Sequence, residues 1–217
     1  MPAYNEGAVI AAALKPLIER GFSVVVVDDG SADDTSAQAR ALGASVLRHV
    51  VNLGQGAALQ TGIDWALAQG AALVCTYDAD GQHDVKDVQA LLDALNSAGA
   101  DVALGSRFLG EAGAIPPLRR LVLKAAIWFT RLHTGLALTD SHNGLRAFTR
   151  RAVSQFRIRQ PGMAHASEIL EHIARLGLKY VEVPVTISYT SYSLKKGQSA
   201  LGSVRVLLDL WVGRALR

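Results

Sequence analysis

The sequence predicts an α/β fold: a mixed, mostly parallel sheet flanked by helices. Three observations lead there. Short β-branched runs alternate with longer Ala/Leu-rich stretches, the pattern of βαβ units. The valines at 24–27 form an unbroken apolar run, as in a strand covered on both faces. Half of the 217 residues are hydrophobic, enough to bury a sizeable core in a chain of ordinary domain length.

The elements follow in order. Residues 8–20 read as a helix bent or broken near Pro16, since proline lacks an amide donor and crowds the preceding turn. Residues 23–27 are a strand, flanked by Gly21 and Gly30. Residues 33–42 form a helix stopped at Gly43, because glycine tolerates the left-handed cap. A short strand at 45–48 precedes a helix at 57–69, ended by Gly70. Residues 73–76 are a second buried strand, and Asp84 can cap a helix over 85–97. A strand at 102–104 closes this alternating half. Beyond it lie a Gly/Pro-rich loop at 110–117, an apolar-basic helix at 118–132 and a polar, then extended, stretch at 140–148. A helix at 165–176, a strand at 180–187, a Tyr/Ser/Lys loop at 188–197 and an amphipathic helix at 199–216 complete the chain. No repeat, low-complexity tract or linker divides it. One domain is expected: a ligand-binding half at 1–107 and a second half at 108–217.

Lys and Arg number 22 against 19 Asp and Glu. So mild a basic excess suits an anionic ligand or a phospholipid surface and does not call for nucleic acid. The acids gather early, at 28–34 and 78–93, and the bases late, at 146–159 and 195–217. The single cysteine, Cys75, sits in an apolar run and reads as a small buried residue rather than half of a disulfide. No stretch reaches the roughly 18 apolar residues of a spanning helix. The first residues lack the basic lead and apolar block of a signal peptide. A cytoplasmic location is therefore expected.

Ligands of open parallel sheets bind beyond the carboxyl ends of the strands. Two acidic clusters fall there. Asp78-Ala79-Asp80-Gly81-Gln82-His83 leaves the strand at 73–76. Asp78 and Asp80 can aim at one hard cation, and the Gln82 carbonyl can add a third oxygen, which suits Mg²⁺ or Mn²⁺. Alone, the run serves equally as a solvated loop capping the next helix. Asp28-Asp29-Gly30-Ser31 follows the valines, and two adjacent acids exceed what a cap needs. Asn52-Leu53-Gly54-Gln55-Gly56 could let a diphosphate approach a helix N-terminus, or be a plain turn.

The order and spacing of these runs, with Pro2-Ala3-Tyr4-Asn5-Glu6 before them and Gly105-Ser106-Arg107-Phe108 after, resemble family 2 glycosyltransferases. Asp140-Ser141-His142-Asn143-Gly144-Leu145-Arg146-Ala147-Phe148 and Val181-Glu182-Val183-Pro184-Val185 extend the likeness toward the dolichyl- or polyprenyl-phosphate sugar synthases.

The resemblance implies a GT-A fold and an inverting, metal-dependent transfer from a UDP- or GDP-sugar to a polyprenyl phosphate or lipid-linked glycan. Pro2, Tyr4, Glu6 and Asp29 would then hold the nucleoside, with Asp28 supporting the pocket. Asp78, Asp80 and Gln82 would hold Mg²⁺ or Mn²⁺. Arg107, and Arg119 or Arg120, would meet phosphates. Asp140 would act as base or organise the acceptor, with Glu168 a weaker candidate. Lys195 and Lys196 would face the lipid phosphate, beside Tyr189 and Tyr192 at a membrane interface. His83, His142 and His165 lack metal-ligand spacing and read as hydrogen-bonding residues. The protein would be peripheral on the inner face of the membrane, and a homo-oligomer is compatible with the last helix. A soluble or protein acceptor, and a non-catalytic nucleotide-sugar-binding module, remain open alternatives.

Two departures stand out. The family carries an apolar, normally central strand just before the Pro-Ala-Tyr-Asn-Glu run, where only Met1 stands here, so a gap in the sheet is expected. Its usual lysine in the Asn-Leu-Gly-Lys-Gly turn is Gln55, one positive charge fewer near the donor.

Overall fold

The sequence folds into β1 (Pro2–Ala3), α1 (Ile10–Glu19), β2 (Val25–Asp28), α2 (Thr35–Ala41), β3 (Ser45–Arg48), α3 (Gln55–Ala68) and β4 (Leu73–Thr76). There follow α4 (Val85–Ala98), β5 (Val102–Ser106), α5 (Pro117–Thr134), β6 (Arg146–Thr149), α6 (Arg150–Val153), α7 (His165–Arg175) and β7 (Tyr180–Pro184). This computed structural model describes residues 1–110, 117–141 and 143–188, without the side chains of 117–119 and 122. The loop and helix expected over 188–216 lie outside the described residues, apart from Ser188.

Local signals account for most boundaries. Asp84 caps α4 by accepting from the Lys86 amide, and Gly99 closes the helix at φ 53°. Gly43 and Gly70 follow α2 and α3 at positive φ, as their cap role requires. Pro16 neither breaks nor ends α1, which continues through it. Ile10, Ala13, Leu14 and Leu17 bury one face of that helix almost completely. Burial of such side chains contributes about 1.5–3 kcal/mol each, which offsets the roughly 3 kcal/mol a helical proline costs. The valine strand begins at Val25, two residues later than expected, and the short helix α6 escaped the sequence pattern.

The sheet forms in two pieces. β1-β2-β3 is wholly parallel, and β4-β6-β5-β7 is mixed, with β6 antiparallel to both neighbours and β7 parallel to β5. β6 comes from the second half of the chain yet lies between β4 and β5 of the first, so the two halves share one sheet. Side chains alternate across it. Ala103, Leu145 and Ala147 join a core with α1 and α4. Val102, Leu104 and Phe148 join a second core with α3, α6 and α7. This gives a helix–sheet–helix sandwich.

The expected gap is present. Neither β1 nor β2 pairs with β4. A cavity of about 520 Å³ lies between them, lined by Met1, Val25, Val74, Cys75, Ile63 and Leu92, among others. Cys75 therefore borders this slot, half-buried rather than sealed in the core.

Candidate active site

Parallel pairing of Ala3 with Asp28 sets the ends of β1 and β2 side by side. The loop after β1 is then stitched to the loop after β2. Ser31 Oγ accepts from the Asn5 amide (2.9 Å), Asn5 Oδ1 from the Ala32 amide (2.8 Å), and Thr35 Oγ1 from the Glu6 amide (2.9 Å). Asn5 sits at φ 52°, a left-handed conformation asparagine tolerates. Of the residues expected at the nucleoside, Tyr4 is exposed at this rim, while Pro2 and Glu6 are buried.

The paired acids at the β2 end look inward. Asp28 is fully buried, and its carboxylate accepts from the Ser31 amide (2.8 Å) and from the Ser36 hydroxyl. Burial opposes its charge, but those hydrogen bonds prevail and hold Asp28 below the usual carboxylate value. Asp29 accepts from the amides of Leu53 (2.9 Å) and Gly54 (2.7 Å) and contacts His49 Nδ1 (2.7 Å). It thereby ties the 52–56 turn to β2.

That turn does not present an open helix end. The Gly56 and Ala57 amides both donate to the Pro161 carbonyl, at 2.7 and 3.4 Å. A Cβ on Gly56 would lie 2.0 Å from the Gln160 carbonyl oxygen, so only glycine permits this approach. The first amides of α3 are capped by protein and are not offered to a diphosphate.

The Gln55 side chain reaches from the turn to Asp78, donating to Oδ1 at 3.0 Å. His83 Nε2 lies 3.3 Å from the other oxygen, Oδ2. A Cβ on Gly144 would fall 2.0 Å from that Oδ2, so glycine there gives the carboxylate its room. Burial opposes charge on Asp78, yet the His83 hydrogen bond and nearby cations, Arg146 among them, hold its carboxyl low. Asp80 is raised instead, first by burial and then by Asp78, with Glu6 contributing in the same direction. Asp78, held low, and Asp80, raised beside it, make an oxygen donor set fitted to a hard divalent cation. Gln82 currently donates its side-chain amide to Asp80 Oδ2 (2.8 Å), so its carbonyl must turn to join that set. No group of three or more His, Cys, Asp or Glu with metal-site geometry occurs among the described residues, so a cation held by Asp78 and Asp80 would need further oxygens from Gln82, water or ligand.

Just past the carboxyl end of β5, Asp140 and Arg107 form a buried pair. Arg107 Nε donates to Asp140 Oδ2 at 2.6 Å and its backbone amide at 3.1 Å. Glu182 on β7 fixes this turn by accepting from the Thr139 amide (2.8 Å), the Thr139 hydroxyl (2.9 Å) and the Asp140 amide (3.2 Å). The sequence marked Glu182 only as part of an extended run.

The remaining expectations divide. Arg120 is exposed, and the Arg119 side chain, His142, Tyr189, Tyr192, Lys195 and Lys196 fall outside the described residues. Glu168 is not placed as a base. It accepts from the amides of Arg159 (3.1 Å) and Gln160 (2.8 Å), holding the turn that caps α3, and it lines a separate groove of about 880 Å³ with Asp64, Arg157 and His172. His83 and His165 are hydrogen-bonding residues, as expected; His165 Nδ1 meets the Gly162 carbonyl at 2.8 Å.

Comparison with known proteins identifies the family and the fold. The family model described as glycosyl transferase family 2 matches residues 1–154. The polyprenol monophosphomannose synthase of Mycolicibacterium smegmatis is 34% identical over 80% of this chain and 69% of its own. The undecaprenyl-phosphate mannosyltransferase of Micrococcus luteus is 33% identical over 86% of this chain and 81% of its own. Among solved structures, the glucosyl-3-phosphoglycerate synthase of Mycobacterium tuberculosis, crystallised with Mn²⁺ and UDP-glucose, superposes with a TM-score of 0.72. It covers 96% of this chain and 75% of that one at 24% identity, a likeness of fold.

Proposed function

The chain belongs to glycosyltransferase family 2, and on that premise we propose that it moves a sugar, with inversion, from a UDP- or GDP-sugar to a polyprenyl phosphate. The observation that carries this reading is the Asp78/Asp80 pair, set at the end of β4 between the nucleoside-side loops and the Asp140/Arg107 pair. The named activities of the two curated relatives support the acceptor class. Residues 1–107 would serve the donor and residues 108–217 the acceptor within one catalytic unit.

Asp78, Asp80 and Gln82 would hold Mg²⁺ or Mn²⁺, which neutralises charge on a departing diphosphate. Tyr4 at the rim and the loop pinned by Asp28 and Asp29 frame the nucleoside. Inversion needs one displacement at the anomeric carbon. A phosphate acceptor is already an anion, so it needs positioning more than deprotonation. Asp140 suits that role: its carboxylate is committed to Arg107, which it aims and keeps from rotating. Asp140 is thus better read as a positioning residue than as a base. No described helix is long and apolar enough to cross a membrane. Access to a lipid acceptor would come from the basic residues at 195–217, with the protein peripheral on the inner face.

The test is a donor screen by product release, using UDP- and GDP-sugars, Mn²⁺ and polyprenyl phosphate. Transfer to the lipid phosphate is expected, with loss in Asp140→Asn while metal binding stays intact. Full turnover in Asp140→Asn would refute the positioning role. Transfer only to soluble acceptors would overturn the lipid reading, and no turnover with any donor would favour a binding module.

A further inference from the structure

One buried cation beside these carboxylates has so far appeared only as a charge near Asp78. Arg146 opens β6, the strand between β4 and β5, and pairs with Thr76 on one side and Leu104 on the other. Thr76 is two residues from Asp78, and Leu104 three from Arg107. Alternation puts the Arg146 side chain on the face of Phe148, opposite Leu145 and Ala147. There the strand ends nearest the carboxylates. Arg146 is only 4% exposed. Its guanidinium makes no hydrogen bond or ion pair with any described residue, although arginine carries five donors. Burial pulls it down to about 10, against the opposing pull of Asp78 and Asp140, which flank it at longer range. Three residues earlier, Asn143 Nδ2 is also buried without an acceptor, while its Oδ1 is taken by the Leu145 amide (3.0 Å).

Leaving such donors unsatisfied is costly. A buried arginine normally takes a bidentate carboxylate partner. Here two carboxylates are near, and both are committed elsewhere: Asp78 to Gln55 and His83, Asp140 to Arg107. The guanidinium donors, which no described residue accepts, suit an oxyanion that arrives with the ligand. We propose that Arg146 is a phosphoryl-oxygen contact of this site, binding an anionic phosphate between the Asp78 side and the Asp140 side. The planar fork matches two phosphoryl oxygens, and a fixed charge on a buried side chain at a strand end is already oriented before the ligand enters. Both the donor diphosphate and the acceptor phosphate carry this chemistry, and the proposal rests on the transferase reading given above.

The test compares wild type with Arg146→Met and Arg146→Lys. Calorimetric titration with Mn²⁺ and pyrophosphate reads the donor arm, and the KM for polyprenyl phosphate at saturating donor reads the acceptor arm. Thermal unfolding and Mn²⁺ affinity without phosphate read any structural role. Arg146→Met should weaken one of the two phosphate arms by at least about tenfold. Its Tm should not fall, because an apolar chain of similar length relieves a buried unpaired charge. Arg146→Lys should keep the charge and recover only part of the affinity, since it lacks the fork. A lowered Tm with both phosphate arms unchanged would overturn the proposal and leave a structural arginine. Should wild type bind neither pyrophosphate nor lipid phosphate, the transferase reading would fall with it.

Discussion

A polypeptide prepared to start at Met1 with a free amine offers a quantitative check on how the slot beside β1 is built. That amine donates to the Val25 carbonyl at 2.9 Å and is buried at the edge of the cavity between β2 and β4. Burial lowers its pKa from 8.0 to about 6. Folding therefore disfavours the protonated amine. As pH falls from 8 to 6 the unfolded chain takes up this proton first, so stability is lost across that window and levels off below it. A tenfold change in proton affinity corresponds to about 1.4 kcal/mol. The hundredfold change here costs roughly 2 kcal/mol at pH 6, approaches 3 well below it, and is nearly nothing above pH 8.5. Acetylating Met1 removes the charge and keeps the N–H that Val25 needs. Urea unfolding of free and acetylated chains at pH 8.5 and pH 6 should show the free chain losing about 2–3 kcal/mol more between the two. Histidines contribute equally to both chains and cancel. Equal losses would refute the reasoning and mean that the amine is solvated through the slot. Extending the chain ahead of Met1 with apolar β-branched residues removes the same charge and fills the cavity, so it should stabilise more than acetylation at either pH.

Two further outcomes follow from the carboxylates. Gly144→Ala would push a methyl group against Asp78, 2.0 Å from Oδ2, so turnover should drop about a hundredfold or more while circular dichroism stays native; an active variant would remove Gly144 from the site. Because burial and Asp78 raise the Asp80 carboxyl, protons compete with metal there as pH falls. Apparent Mn²⁺ affinity, read by electron spin resonance, should weaken on acidification at a higher pH in wild type than in Asp78→Asn; coincident profiles would show that the two carboxylates do not interact.

The sequence was most legible where local chemistry decides the outcome. Strands β3 and β4 and the Asp84 cap fall where pattern and capping place them. It was misleading where tertiary packing overrules a local preference. Pro16 stays inside α1 because the helix face is locked in the core. Glu168 has an acid's credentials, but its partners are backbone amides about eight or nine residues away, which no spacing rule reveals. The turn at 52–56 could be read as a diphosphate approach or a plain turn, and Pro161, more than a hundred residues on, caps its helix and decides for the latter.

By itself, then, the sequence determined the alternating α/β order, the carboxylates at the strand ends and the family they resemble. These follow from short-range rules: apolar period, turn glycines and the oxygen chemistry of aspartate. Only the tertiary structure decided which acids gather around Arg146 and which brace loops elsewhere. Asp28 and Asp29 turned out to brace loops, Asp140 to hold Arg107, and Gly144 to make room for Asp78. It also placed Arg146 among them, with no hydrogen-bonded partner for its guanidinium among the described residues, because β6 crosses from the second half of the chain to lie between β4 and β5. Such contacts join residues some 70 positions apart, and their geometry exists only after the chain has closed on itself.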